Sequence, residues 1–409
     1  MSTPPCRSCG APLRHVVIDL GRQPLSNAYL RPDQVAEEQL HPLIARFCDR
    51  CALVQVDEVV AASDIFEAYA YFSSYSESWV RHAAAFVEQA VEARGLGSDS
   101  LVVEIASNDG YLLRHLVERG IPVLGVEPAK NVAEVAVDHG VPTLVEFFGL
   151  SVARRIVDEH GVADLVVANN VMAHVPDLND FVAGLAELVA DDGAVSIEVP
   201  HLLRLVEGVQ FDTIYHEHYS YFSLLAARSV LERHGLAVTH VEELTTHGGS
   251  LRITAQPASA GRTPSARVEQ VLAEERLAGL DSIDGFAHFA DASARCRDSL
   301  VEFVSEARSE GRRIVGYGAA AKGNTLLNYA GLGPDDIGYV ADLSPHKQGH
   351  LLPGSHIPVV EPDRIRADRP PYVLILPWNL RDEITEQMAD VHDWGGRFVT
   401  AVPRVEVEA

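Results

Sequence analysis

The chain has 409 residues, room for about two to four domains at ~100–200 residues each, and its 47% hydrophobic content excludes a disordered polymer. Lys plus Arg number 33 against 58 Asp plus Glu, a formal charge of −25 that repels bare nucleic acid and anionic lipid, so neither is an expected partner. No apolar run approaches the ~18 residues of a membrane span and residues 1–10 (MSTPPCRSCG) hold no apolar signal core, so a cytoplasmic protein in a reducing compartment is expected.

Residues 1–60 read as loop-rich and hold four of the five cysteines. A helix follows, with Trp79, Ala83, Phe86, Ala90 and Val91 at helical spacing. From Leu101 apolar strands alternate with amphipathic helices. Residues 101–105, 123–127, 164–169 and 194–200 read as strands, and 111–119 as a helix between them. That alternation predicts a parallel sheet covered on both faces. Residues 236–256 read as two strands joined by a turn, closing the sheet antiparallel. Residues 257–265 (PASAGRTPS) have the composition of a linker, and 264–312 read as charged helix broken near Gly279 and Gly285. Strands at 314–318, 337–342, 372–378 and 397–403, with a helix at 322–329, make a second α/β unit. The expected domains are therefore 1–70, 71–260 and 261–409.

Cys6-x2-Cys9 and Cys48-x2-Cys51 are two CxxC turns. Four thiolates suit a tetrahedral Zn²⁺ and leave no open position for catalysis. The surrounding segment has few large apolar residues, so the metal is expected to supply folding energy. Redox or incidental thiols are the plainer alternatives. Cys296, in a helical stretch, reads as packing.

The run EIASNDG (Glu104 to Gly110) lies between a strand and a helix. Small residues there let a ligand approach the backbone, and helix amides favour its carboxylate or phosphate. Glu127 ends the next strand, where an acid suits ribose hydroxyls, and Asn169 and Asn170 end a later one. The crevice rule for open α/β sheets brings all three places to one ligand. The GxGxxG fingerprint is absent, and the spacing is similar to the ExGxNxG loop of class I S-adenosylmethionine methyltransferases, with Ala106 at the usual glycine.

After the strand at 194–200 comes FDTIYHEHYSYF, with Tyr215, His216, Glu217 and His218 adjacent. Imidazole titrates near neutrality and suits removal of a moderately acidic C–H; tyrosine hydroxyls suit a developing oxyanion. A metal site or a solvated loop are the competing readings, and HExH lacks the HExxH spacing of zinc hydrolases. His174, just past the fourth strand, and Tyr69, Tyr71 and Tyr75 are further candidates, although packing explains such residues more often. GYGAAA (316–321) followed by Lys322 fits either a dinucleotide turn, with Asp342 ending the next strand, or a diphosphate cradle. HGGSLR, from His247 to Arg252, offers glycines for close approach and a charge.

In this order the motifs resemble the S-adenosylmethionine-dependent C-methyltransferases of deoxysugar biosynthesis. The resemblance spans nearly the whole chain: paired CxxC, EIASNDG, the His174 segment, Tyr215 to His218, HGGSLR, GYGAAAKGN, Asp342 with PHKQ, and Trp378-Asn379. It implies an α/β fold with three parts. These are a small N-terminal zinc module, a class I methyltransferase Rossmann-like domain, and a C-terminal Rossmann-like domain holding a nucleotide sugar rather than NAD. It implies structural zinc at Cys6, Cys9, Cys48 and Cys51. It implies S-adenosylmethionine at Glu104, Ala106, Asn108, Gly110, Glu127 and Asn169. Substrate contacts would fall on His247, Arg252, Lys322, Gly323, Asn324, Trp378 and Asn379. Tyr215, Glu217 and His218 match the catalytic segment, with His174 and Tyr71 as neighbours. The implied reaction is C-methylation of a nucleotide-linked keto sugar, dTDP-linked and at C-3, with His218 as base. An NAD-dependent oxidoreductase and a non-catalytic nucleotide-sugar binder stay open at this point, as do monomer and homodimer.

Overall fold

The computed structural model describes residues 3–57, 60 and 72–408, with Tyr75 by its backbone alone. The N-terminal segment is not mainly loop. Strands β1 (His15–Gln23), β2 (His41–Phe47) and β3 (Val54–Val56) pair antiparallel in the order of the chain. Two register shifts and four exposed positions blur the alternation of β1, which is why its pattern does not announce a strand.

The central sheet contains β4 (Val102–Ile105), β5 (Val123–Val126), β6 (Thr143–Leu144), β7 (Ala163–Asn169) and β8 (Val189–Pro200). A two-residue strand, β9 (Ser220–Tyr221), leaves to pair with β3. The expected hairpin, β10 (Leu236–Leu244) and β11 (Ser250–Pro257), completes the edge. The order is β10-β11-β8-β7-β4-β5-β6, parallel from β8 to β6 and antiparallel at β11 and β10. All four residues of β4 are buried, as both-face coverage requires. The chain runs outward from β4 to β6, then returns to β7 and β8. The switch point is therefore between β4 and β7, where a ligand crevice forms at the carboxyl ends.

The C-terminal sheet holds β12 (Ile314–Tyr317), β13 (Val340–Ala341), β14 (Val359–Val360), β15 (Tyr372–Ile375), β16 (Arg397–Thr400) and β17 (Glu406–Val407). Its order is β14-β13-β12-β15-β16-β17, parallel except for β17.

Packing crosses the expected boundaries at two places. The N-terminal sheet does have a core, but it shares it with distant sequence. Val17, Leu43 and Phe47 pack in one cluster with Phe286, Phe289 and Leu300, and the Phe47 and Phe286 rings are 5.4 Å apart. Helix Ala266–Leu277, expected beyond the linker in the third domain, buries Val268, Val271 and Leu272 in the core of the central sheet. Past this helix the chain turns tightly at Gly279 and Gly285, where a Cβ on Gly285 would stand 2.4 Å from the Gly279 carbonyl oxygen. No helix among the described residues is long and apolar enough to cross a membrane.

Candidate active site

The loop after β4 bends through positive φ at Ala106 (56°), Asn108 (50°) and Gly110 (77°). A Cβ on Gly110 would also press on Val141 at 3.0 Å, so glycine is fixed there by conformation and space. Alanine at 106 tolerates its left-handed turn at some cost and donates its N–H to Val126. Glu104 is buried, and neither carboxylate oxygen meets a donor within bonding distance among the described residues, although Tyr111 lies close enough to ease its charge. Burial, with Asp109 and Glu127 nearby, pushes its pKa well up. Glu127 accepts from Asn108 N at 3.0 Å and Ala129 N at 2.8 Å, and burial raises it to about 7. The Asn169 side-chain oxygen is buried and unpartnered among the described residues. Three carboxyls and an open amide oxygen at one strand-end crevice suit a ligand that brings cationic and hydroxyl donors. Sulfonium, ammonium and ribose are such groups.

The four cysteine Sγ atoms lie within 4.8 Å of one another. Cys6 to Cys51 is 3.6 Å and Cys9 to Cys48 is 3.5 Å. A tetrahedron of sulfurs ~2.3 Å from zinc has edges of about 3.8 Å, so the cluster fits that ion. Gln55 on β3 donates to Cys6 Sγ at 3.2 Å and accepts from Arg7 N at 2.9 Å. Gln55 also faces Ser220 on β9, two residues past His218. The metal module therefore holds one end of the histidine segment.

That segment is ordered by named bonds. His218 Nδ1 donates to the Thr213 carbonyl at 3.0 Å, so Nε2 carries the lone pair and accepts from the Tyr215 hydroxyl at 2.8 Å. His174 meets His218 edge to face, ring centroids 4.6 Å apart. Burial, reinforced by His174, holds His218 well below the usual imidazole range; burial lowers His174 and His247 to about 4. All three imidazoles are neutral at pH 7. Glu217 is buried and pushed up to about 7, with Oε1 accepting from Asn27 N at 3.2 Å. This contact ties the histidine segment to the N-terminal module. His216 turns away, to the Pro42 carbonyl at 3.2 Å. Tyr69 and Tyr71 lie outside the described residues.

His247, in a left-handed turn (φ 55°), comes within 3.4 Å of Asn170 Nδ2, which joins it to the end of β7. Trp79 stacks on His82 and Tyr111 and meets His247 edge-on at 5.1 Å. In the sequence Trp79 is one apolar position of a helical stretch and His82 belongs to no motif, so neither stands out there.

Arg252 is placed differently from the expected anion contact. Its guanidinium bonds buried Glu198 at 3.1 Å, reaches Glu242 and lies over the Phe86 ring at 4.7 Å. Its charge is already neutralised within the protein. Gly248 and Gly249 are likewise explained by packing: a Cβ would meet Trp378 Cη2 at 2.4 Å and Arg204 Cβ at 2.7 Å.

On the C-terminal side, Lys322 Nζ donates to Asn379 Oδ1 at 2.6 Å and sits 4.6 Å over the Trp378 ring. Burial lowers its pKa and Asp212 opposes the fall. Gly323 abuts Leu376, with a Cβ 2.8 Å from its Cβ, and Asn324 donates to the Ser26 carbonyl at 2.6 Å. Asp342 accepts from Ala319 N at 2.7 Å and Ser344 N at 2.8 Å, and Lys347 stands 3.6 Å away. The acid that would hold an NAD ribose is thus engaged in closing its own turn.

Three families match the chain: a zinc binding domain over residues 6–66, a methyltransferase domain over 78–241 and a C-methyltransferase C-terminal domain over 245–403. The chain is 38% identical over 403 residues to the C-methyltransferase NovU of Streptomyces niveus, covering 98% of this chain and 96% of that one. A 96-residue stretch is 28% identical to a ubiquinone biosynthesis O-methyltransferase of Bordetella avium (strain 197N), covering 23% of this chain and 40% of that one. Among solved structures, magnesium protoporphyrin IX methyltransferase of Synechocystis PCC 6803 with bound S-adenosylmethionine covers 49% of this chain and 99% of its own. The TM-score is 0.36 and the identity 15%.

Proposed function

The chain belongs to the family of S-adenosylmethionine-dependent C-methyltransferases, and from that premise we propose that it methylates the carbon beside the ketone of a nucleotide-linked 4-keto-6-deoxysugar. The nucleotide in this reading is dTDP, the carbon is C-3, and the product belongs to natural-product deoxysugar biosynthesis. S-adenosylmethionine supplies an electrophilic methyl group whose leaving group is a neutral thioether. The observation that carries the reading is the fixed tautomer of His218, with its basic Nε2 beside the Tyr215 hydroxyl.

A C–H next to a ketone is acidified because its carbanion delocalises onto oxygen. His218 Nε2 takes that proton. Before substrate arrives the lone pair is capped by Tyr215; turning the phenol toward the ketone frees the base and gives the enolate oxygen a donor in one motion. The burial that keeps His218 neutral makes it a weak base, but an imidazolium formed beside an enolate is stabilised by the charge it creates. Zinc, closed by four sulfurs, takes no part in the chemistry.

Glu127→Ala is expected to weaken S-adenosylhomocysteine by about 1.5–3 kcal/mol above pH 7, where the carboxylate is ionised and a charged acceptor to ribose is lost, while dTDP binding holds. Lys322→Ala should do the reverse, because its ammonium is the buried cation on the nucleotide side. Calorimetric titration of both ligands into both variants checks this. Equal loss of both ligands in either variant would mean that the domain roles are misassigned.

A further inference from the structure

Asp212 is fully buried in the turn Phe211–Thr213, on the middle domain. Its Oδ2 accepts from Trp378 Nε1 at 2.7 Å, across 166 positions of sequence. Trp378 belongs to the C-terminal domain, at the start of the turn Trp378–Leu380 that follows β15. The same indole fills the space beside Gly248, next to His247, and carries the Lys322 ammonium on its face. One C-terminal side chain therefore touches two of the middle-domain loops that bring histidines to the site.

The path from Asp212 to His218 is short. The next residue, Thr213, offers its carbonyl to His218 Nδ1 at 3.0 Å. Thr213 is itself pinned, its hydroxyl and N–H both bonding the Gln210 carbonyl at 2.7 and 3.1 Å. One residue on, Thr325 of helix Ala321–Ala330 donates to the Ile214 carbonyl at 3.1 Å. The C-terminal domain thus grips residues 212–214 at two points, on either side of the carbonyl that selects the His218 tautomer. A buried carboxylate is costly unless paired, and fold stability alone can account for the bond to Trp378 with the Lys322 charge in the neighbourhood. It does not account for where the carbonyl is aimed.

We infer that Trp378 and Asp212 form a positioning pair across the two domains, which fixes the Thr213 carbonyl and through it the tautomer and aim of His218. The inference rests on His218 being the base. A neutral imidazole has two tautomers, and a fixed carbonyl at Nδ1 keeps the proton there and the lone pair on Nε2.

The first readout needs no substrate. In ¹⁵N-histidine spectra of the whole protein, with His218 identified by His218→Asn, the wild type shows the Nδ1–H tautomer. Trp378→Phe, which removes the indole N–H, and Asp212→Ala should both shift His218 toward a mixture. Asp212→Asn, which keeps an acceptor for Trp378, should restore the wild-type pattern. The second readout is methylation of a dTDP-4-keto-6-deoxysugar. Here Asp212→Ala should lose on the order of 10²-fold in kcat with S-adenosylhomocysteine affinity unchanged, the cost of a misaimed group. An unchanged His218 tautomer in both Trp378→Phe and Asp212→Ala overturns the inference, as does a loss confined to KM. A wild type that methylates no keto sugar would sink the proposed function instead, and the tautomer spectra would still decide this point.

Discussion

Exchanging Cys6 and Cys48 for serine together is expected to release one zinc per chain and to collapse the N-terminal sheet, with activity lost through folding rather than chemistry. Each substitution takes one sulfur from a different CxxC turn, so no complete pair remains. Structural zinc contributes ~10–16 kcal/mol in zinc-finger peptides, as much as the whole ~5–15 kcal/mol stability of a typical domain. The damage should spread. Gln55 loses the thiolate it donates to, and β3 then loosens its pairing with β9 (Gln55 to Ser220, Val54 to Tyr221), the strand that anchors the histidine segment. Elemental analysis and circular dichroism of purified wild type and double variant measure both effects. Metal retained unchanged in the double variant would refute the assignment, and a zinc-free variant with native melting behaviour would show that the ion is not structural.

What was legible in the sequence follows physical rules. Strands β4, β5, β7 and β8 are mainly apolar runs because helices cover both faces, and such runs stand out. The start of β8 was missed because Asp191 and Asp192 are exposed there, where the strand leaves the core. The N-terminal sheet was illegible for another reason: Val17, Leu43 and Phe47 bury against residues some 240 positions later, so no local pattern records their partners. At the site, the density of histidine and tyrosine marked the 211–222 segment, and two CxxC turns marked the metal. The glycines misled in part. Gly248 and Gly249 read as room for a ligand to approach, yet Trp378 and Arg204 stand where their Cβ atoms would be. Arg252 showed as a charge but not as a neutralised one, since Glu198 lies 54 positions away on a neighbouring strand. Asp212 stood in plain view within the quoted motif, and only the fold reveals that its partner is Trp378.

Replacing His218 by alanine is expected to abolish methyl transfer while leaving both ligands bound. General-base catalysis is worth ~10²–10⁴-fold, so the loss should fall in that range or beyond. A half-reaction isolates the step. In D₂O, with a dTDP-4-keto-6-deoxysugar and S-adenosylhomocysteine, the wild type should wash deuterium into the carbon beside the ketone. His218→Ala should not. Tyr215→Phe should slow exchange by at most 10²–10³-fold, the usual worth of one oxyanion donor. The pH profile carries its own signature. Burial holds His218 well below its ordinary range, so its folded-state pKa is depressed. The base then stays unprotonated as pH falls through the ordinary imidazole value near 6.5, and exchange should persist there, failing only at lower pH. His174 and His247, lowered to about 4, add a stability term of the same sign: fully present above about 6.5 and lost as pH falls toward 4. Acid loss of activity should therefore coincide with loss of structure, measured by circular dichroism on the same samples. Rapid exchange in a folded His218→Ala protein would move the base to His174 or Glu217 and overturn the assignment.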